Sequence, residues 1–177
     1  NSNGKNYEPD VTSYDYDAPL NESGHPTRKY YLFRDVIAKA TGVTPPPVPQ
    51  VEPLAAVPVF RTGQYTSLWQ NLPAPVHSDR TLTMEDLGQA YGYILYRTFE
   101  TDGGEYDLAI DGLHDYARIY VNDDLAGTLD RRLSQNHLTI HIPAARSRLD
   151  ILVENTGRVN FSMALRGERK GITGQVT

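Results

Sequence analysis

None of the 177 residues is cysteine. Disulfides, thiolate metal sites and cysteine nucleophiles are therefore excluded, while the compartment stays open. Positive charge is in deficit. Seventeen Lys and Arg stand against 22 Asp and Glu, for a net charge of −5. Such a chain lacks the basic face that nucleic acid requires and the polybasic stretch that binds an acidic membrane. No run reaches the ~18–20 apolar residues of a membrane-spanning helix. The basic, then apolar, then small-residue pattern of a signal peptide is not seen at its start. Apolar residues other than Gly make up 39%, against a usual ~45–50% that includes Gly. Twelve tyrosines compensate in part, each a large apolar ring with a polar tip. A core is affordable, and wholesale disorder is not expected.

What is present changes sharply along the chain. Residues 1–25 are polar and rich in Asn, Tyr, Asp and Gly. Residues 26–42 read as a helix. Pro26 suits a first helical turn. Tyr30, Phe33, Ile37 and Ala40, with Val36 beside them, recur at helical spacing, and Gly42 is the expected stop. Six prolines between positions 45 and 58 exclude helix and inner strand. They predict a stiff polyproline-II connector, spanning ~40 Å if fully extended. From Tyr91 onward the signal is β. Short segments run Tyr91–Phe99, Tyr106–Ile110, Ala117–Val121, Leu125–Leu129, Leu138–Ile142, Leu149–Val153 and Phe161–Leu165. Turn residues separate them at roughly 8–12-residue intervals, the rhythm of an antiparallel sandwich or jelly roll. Leu138, Ile140 and Ile142 alternate with Thr139 and His141, and Asn122-Asp123 is a tight-turn pair.

Few residues carry catalytic chemistry. Most glutamates lie in turns or polar stretches. Glu154 ends an apolar strand. It either pairs with Arg158 or accepts backbone N–H bonds in a turn, or it has a catalytic role. His137 and His141 would sit ~13 Å apart on a strand, too far to share one ion. No calcium loop, Gly-x-Ser-x-Gly elbow or phosphate-binding glycine loop is found. The most distinctive stretch is Thr12 to Leu20, where Tyr14 and Tyr16 alternate with Asp15 and Asp17 before Pro19. On a strand the tyrosines share one face and the aspartates the other. The rings are either sugar platforms or packed side chains.

These residues carry a resemblance. Thr12 to Leu20, then Asn21 to Gly24, then Lys29-Tyr30 and Leu32-Phe33-Arg34 closely resemble glycoside hydrolase family 35, the retaining β-galactosidases. Tyr91 to Thr98 looks like the first strand of that family's β-domain. Ile151 to Phe161 looks like a second signature of it. The resemblance implies a mainly β fold, an antiparallel β-sandwich or jelly roll of galactose-binding-like type, preceded by the last strand and helix of a (β/α)8 barrel. Residues 1–42 would be the barrel's end, 43–60 a Pro-rich linker, and 61–177 the β-sandwich, stopping before a further jelly roll.

The family uses two glutamates about 5 Å apart, an acid/base and a nucleophile. Neither motif is in this chain, so it is expected to be an inactive piece of a larger hydrolase, with no cofactor and no metal. Tyr16 matches the family tyrosine that lines the galactose site. Tyr14, Asp15 and Asp17 are expected to hold that strand end. Glu154, Asn155 and Arg158 match a motif read as structural. Expected partners are a galactose-containing oligosaccharide or glycan and the rest of the enzyme, with neither nucleic acid nor membrane. A periplasmic or secreted setting follows from family habit alone. Two other readings stand beside this one. The β-domain could be a non-catalytic carbohydrate-binding module, using Tyr91, Tyr93, Tyr96, Tyr116 and Tyr120, although the lone Trp69 precedes it. Or it could be a structural interface domain, with the unpartnered helix making an isolated fragment aggregation-prone.

Overall fold

The computed structural model describes residues 16–53, 55–100, 102–143, 146–160 and 163–177. They fall in two compact units, residues 16–74 and 75–177.

The first unit holds one helix, α1 (Arg28–Thr41). Thr27 is its N-cap residue, so Pro26 lies outside the helix, where it bridges to Leu20. The expected first-turn proline is thus displaced by two residues. Thr27 holds the entry by donating its hydroxyl to Ala18 O (2.8 Å) and Pro19 O (3.0 Å). Gly42 ends the helix at φ +68, its N–H bonded to Ala38 O, as a left-handed C-terminal cap requires. No residue of α1 is buried. Phe33, Val36 and Ile37 are all exposed. After α1 the described residues of the proline run take no helix or strand. Arg34 pins its beginning by donating to the carbonyls of Pro45 (3.0 Å) and Pro46. A 3-10 turn, Leu68–Gln70, carries Trp69.

The second unit is built of antiparallel strands: β1 (Gly92–Glu100), β2 (Gly104–Ala109), β3 (Leu113–His114), β4 (Tyr116–Val121), β5 (Asp124–Asp130), β6 (His137–Ile142), β7 (Ser147–Asn155) and β8 (Gly171–Ile172). One sheet has the order β1-β7-β4-β5. β2 pairs with β6 and β3 with β8. Alternation explains the core. Leu149, Ile151 and Val153 of β7, and Ala117, Ile119 and Val121 of β4, point to one face and are buried. There they join Leu108 of β2 and Ile140 and Ile142 of β6 in one cluster. Each such aliphatic side chain contributes about 1.5–3 kcal/mol by leaving water. Asn122 and Asp123 both have positive φ, at 49° and 80°, the geometry of the tight β4–β5 turn. The expected strand at Phe161–Leu165 is instead a 3-10 turn over Met163–Leu165; Phe161 and Ser162 lie outside the described residues.

Gly171 is where β8 approaches most closely. Its φ is +93, and a Cβ there would collide with the Tyr96 hydroxyl. That hydroxyl donates to Leu82 O (2.7 Å) and accepts from Ile172 N (2.8 Å). Burial pushes the Tyr96 phenol up to about 12, so it stays protonated as a donor. Gly171→Ala is expected to cost about 2–4 kcal/mol through backbone strain and the displaced phenol. Chemical denaturation would measure it, and a loss under 1 kcal/mol would contradict this packing.

Candidate functional site

Tyr16 and Asp17 lie in the loop that leads into α1. Asp17 has φ 75. Lys29, on the first turn of α1, donates to its carboxylate and to its backbone carbonyl, both at 2.6 Å. Asn21 closes the next turn. Its Oδ1 accepts from Ser23 N (3.1 Å), Ser23 Oγ (3.0 Å) and His25 N (2.8 Å). The backbone here is therefore tied down, yet Tyr16 is 77% exposed. An ordered loop presenting an exposed phenol can offer a ring face and one hydroxyl to a ligand. Tyr14 and Asp15 lie outside the described residues.

The residues Glu154, Asn155 and Arg158 divide their work. Asn155 donates to Ala90 O (3.2 Å) and accepts from Gly157 N (3.0 Å). Arg158 donates to Ala90 O (2.7 Å) and Gln89 O (3.3 Å) and pairs with Glu85. Together they clamp residues 85–90 onto the end of β7. Glu154 does not pair with Arg158, as the spacing had allowed. Its carbonyl accepts from Asp115 N (3.1 Å), and its carboxylate lines a cleft with Asp115, Tyr116, Asp130, Arg132 and Thr156.

A buried ionic cluster lies behind that cleft. Lys170 is completely buried, and Asp115 is 2% exposed. The Lys170 ammonium donates to Asp115 Oδ1 (2.9 Å) and Oδ2 (2.8 Å) and lies 3.2 Å from Glu168 Oε1. Arg131 bridges Asp115 Oδ1 (2.9 Å) and Glu168 Oε1 (2.7 Å). The backbone N–H and hydroxyl of Thr156 donate to Asp115 Oδ2. Two cations balance two carboxylates, and the Lys–Asp pair is doubly hydrogen-bonded, which is what buried charge demands. Glu168, brought beside Asp115 here, is a residue that the sequence reading did not single out. Nothing along the chain announced it, because the β4–β5 pairing brings Arg131 beside Asp115, while Glu168 and Lys170 arrive only where β3 pairs with β8. The cluster is unsuited to acid–base work, since cations hold both carboxylates.

Several of these groups couple folding to pH. Burial pushes His114 below its ordinary value, helped by Arg131 and opposed by Glu168 and Asp115. Burial would raise Glu168, but its bonds to Arg131 together with the charges of Arg131, His114 and Lys170 outweigh that and lower it. The Thr83 N–H holds Asp86 down to about 2. A lowered histidine stabilises the fold above its unfolded value near 6.5 and loses that contribution on acidification. Lowered carboxylates stabilise above ~4 and lose their contribution as pH falls toward 2. Both signs agree. The melting temperature of the chain is expected to fall below about pH 6.5, and again, more steeply, below about pH 4.5. A melting temperature flat between pH 7 and 3 would contradict the assignment.

Among the described residues, no group of three or more His, Asp or Glu is placed to hold a metal ion, and no helix is long and apolar enough to cross a membrane. The arrangement offers an exposed phenol on a fixed loop in one unit and a polar cleft in the other.

Known proteins say what these parts are similar to. Residues 1–40 match the family described as glycosyl hydrolases family 35. Residues 81–177 match the β-galactosidase first all-beta domain. A β-galactosidase of Xanthomonas manihotis is 44% identical over 176 residues, 99% of this chain and 29% of the relative. The human β-galactosidase-1-like protein 3 is 38% identical over 94% of this chain and 26% of its own length. Bovine β-galactosidase is 35% identical over 99% of this chain and 28% of its own. The chain thus spans under a third of the length of these curated relatives. The match over residues 81–177, more than half of the chain, shows that the chain belongs to the family of the β-galactosidase first all-beta domain, and residues 1–40 before it are similar to glycosyl hydrolases family 35.

Proposed function

We propose that this chain is a segment of a retaining β-galactosidase that releases terminal β-linked galactose from oligosaccharides or glycans. The observation that carries the reading is the ordered pair of family matches, residues 1–40 and 81–177. In this reading residues 1–42 are the end of the (β/α)8 catalytic barrel, 43–60 a linker, and 61–177 an accessory β-sandwich of jelly-roll type. The uncovered apolar side chains of α1 support the first assignment, because the last helix of a barrel needs neighbouring strands and helices to bury that face. The single buried core shared by the four-stranded sheet and the β2–β6 pair supports the last.

Tyr16 would line the galactose pocket, with Asp17 and Lys29 fixing the loop behind it. The two catalytic carboxylates come from elsewhere in the enzyme. No Asn-Glu-Tyr motif occurs in this chain. Clamping by Asn155 and Arg158 is structural. The substrate class is a galactose-containing glycan, and the essential partner is the remainder of the enzyme. Hydrolysis of a β-galactoside by the longer enzyme, set against this chain alone, tests the proposal.

A further inference from the structure

The four-stranded sheet has a second face, opposite the core, and one row across it is unlike the rest. Register places Tyr93 of β1 opposite Glu154 of β7. Glu154 in turn is opposite Tyr116 of β4, and Tyr116 is opposite Asp130 of β5. The row therefore reads Tyr93, Glu154, Tyr116, Asp130. Residues directly opposite on paired strands share a face. With strands ~4.8 Å apart, the two tyrosines stand about 10 Å from one another with the carboxylate between them.

The other three rows of this face hold no unpaired carboxylate. One is Leu95, Leu152 and Arg118. A second closes on Asp150, which Arg97 and Arg148 hold at 2.6 and 2.8 Å. The third is Phe99 and Arg148. In the first row, by contrast, Asp130 is held by Arg132, but the Glu154 carboxylate has no hydrogen-bond or ion-pair partner among the described residues. It is half-buried. It opens into a cleft of about 340 Å³ lined also by Tyr116, Arg132 and Thr156, which lies at the small end of the ~300–1,000 Å³ of small-molecule sites.

We propose that this cleft is a saccharide-binding site on the β unit, separate from the galactose pocket of the catalytic barrel. A pyranose has C–H faces that pack on an aromatic ring and hydroxyls that donate to a carboxylate. Tyr116, which lines the cleft, supplies the first, with Tyr93 beside it on the same row, and Glu154 supplies the second. The charge selects among sugars. Asp115 and Asp130 are neutralised by Lys170, Arg131 and Arg132, and Glu154 is not, so the cleft carries a surplus negative charge. It accepts neutral hydroxyl-rich sugars and rejects uronic or sialic acids. The span between the tyrosines suits a disaccharide end rather than a long chain. The site rests on the β unit alone and stands whether or not the glycosidase reading does.

The test is an NMR titration of the 177-residue chain with lactose, cellobiose and sialyllactose up to about 50 mM, alongside Glu154→Gln and Tyr116→Phe. Both substitutions keep the side-chain shape, and their spectra check that the fold survives. The expected result is saturable binding of a neutral disaccharide with a Kd near 1 mM. Shifts should centre on the amides around Tyr93, Tyr116 and Glu154, and sialyllactose should be without effect. Glu154→Gln should weaken binding about tenfold and Tyr116→Phe about threefold, as expected for losing a charged and a neutral hydrogen bond. No saturable shift at 50 mM, shifts confined to residues 16–27, or a Kd unchanged in Glu154→Gln would each overturn the proposal.

Discussion

Asp115→Ala is expected to destabilise the β unit by about 3–5 kcal/mol, the largest effect of any single substitution considered. The reason is what it strands. Lys170 has no solvent access, so its ammonium cannot recover the two hydrogen bonds it loses from Asp115. Arg131 loses one of its two carboxylates, and the Thr156 N–H loses its acceptor. The cluster goes from balanced to one positive charge in excess. For a domain of ordinary stability, about 5–15 kcal/mol, that is a large fraction. Lys170→Met should be milder, because Arg131 remains to hold Asp115. The double variant Asp115→Ala/Lys170→Met should cost less than the two singles added, since each single removes the same pair. Urea unfolding with matched m-values measures all three. A loss below 1 kcal/mol for Asp115→Ala would mean the cluster is solvated and the account of this end of the sheet is wrong.

Tyr16 carries the second large effect, on activity rather than stability. In the longer enzyme, Tyr16→Ala is expected to lower kcat/KM for a β-galactoside by about 10²-fold, and Tyr16→Phe by about tenfold. These correspond to roughly 2.7 and 1.4 kcal/mol of lost transition-state binding. The phenylalanine variant isolates the hydroxyl, because the ring face remains. Stability should not change with either, since the side chain is 77% exposed and packs against little. That separation makes the test sharp. If kcat/KM moves less than twofold while the fold is intact, Tyr16 is not in the galactose pocket.

Much of the β unit was legible from sequence because its strands obey simple alternation. Leu138, Ile140 and Ile142 predict a β6 with one buried face, and Ile140 and Ile142 are buried as expected. Asn122-Asp123 predicts the β4–β5 turn, and both residues take the positive φ such a turn needs. Gly42 predicts the end of α1 for the same kind of reason. The failures are equally physical. Pro26 fits a helix start, but the bridge it forms with Leu20 moves the start to Thr27. β3 and β8 are two residues each, too short for any periodicity to register. Lys170 stands between Arg169 and Gly171 with no apolar pattern to mark it, yet it is completely buried. Its burial depends on Asp115, 55 residues away in the chain. The Glu154–Arg158 pairing is plausible from spacing, but Glu85 takes Arg158 instead. Local pattern reports which face a residue is on; it does not report which distant charge waits there.

We propose that this chain is part of a β-galactosidase and supplies neither catalytic carboxylate. The most direct test measures release of galactose from a β-linked disaccharide by the purified 177-residue chain and by the longer enzyme at equal concentration. The account predicts no release above the uncatalysed rate for the chain, and robust release with retention of anomeric configuration for the longer enzyme. Hydrolysis by the chain alone, or a longer enzyme that leaves terminal β-galactose untouched, would contradict it.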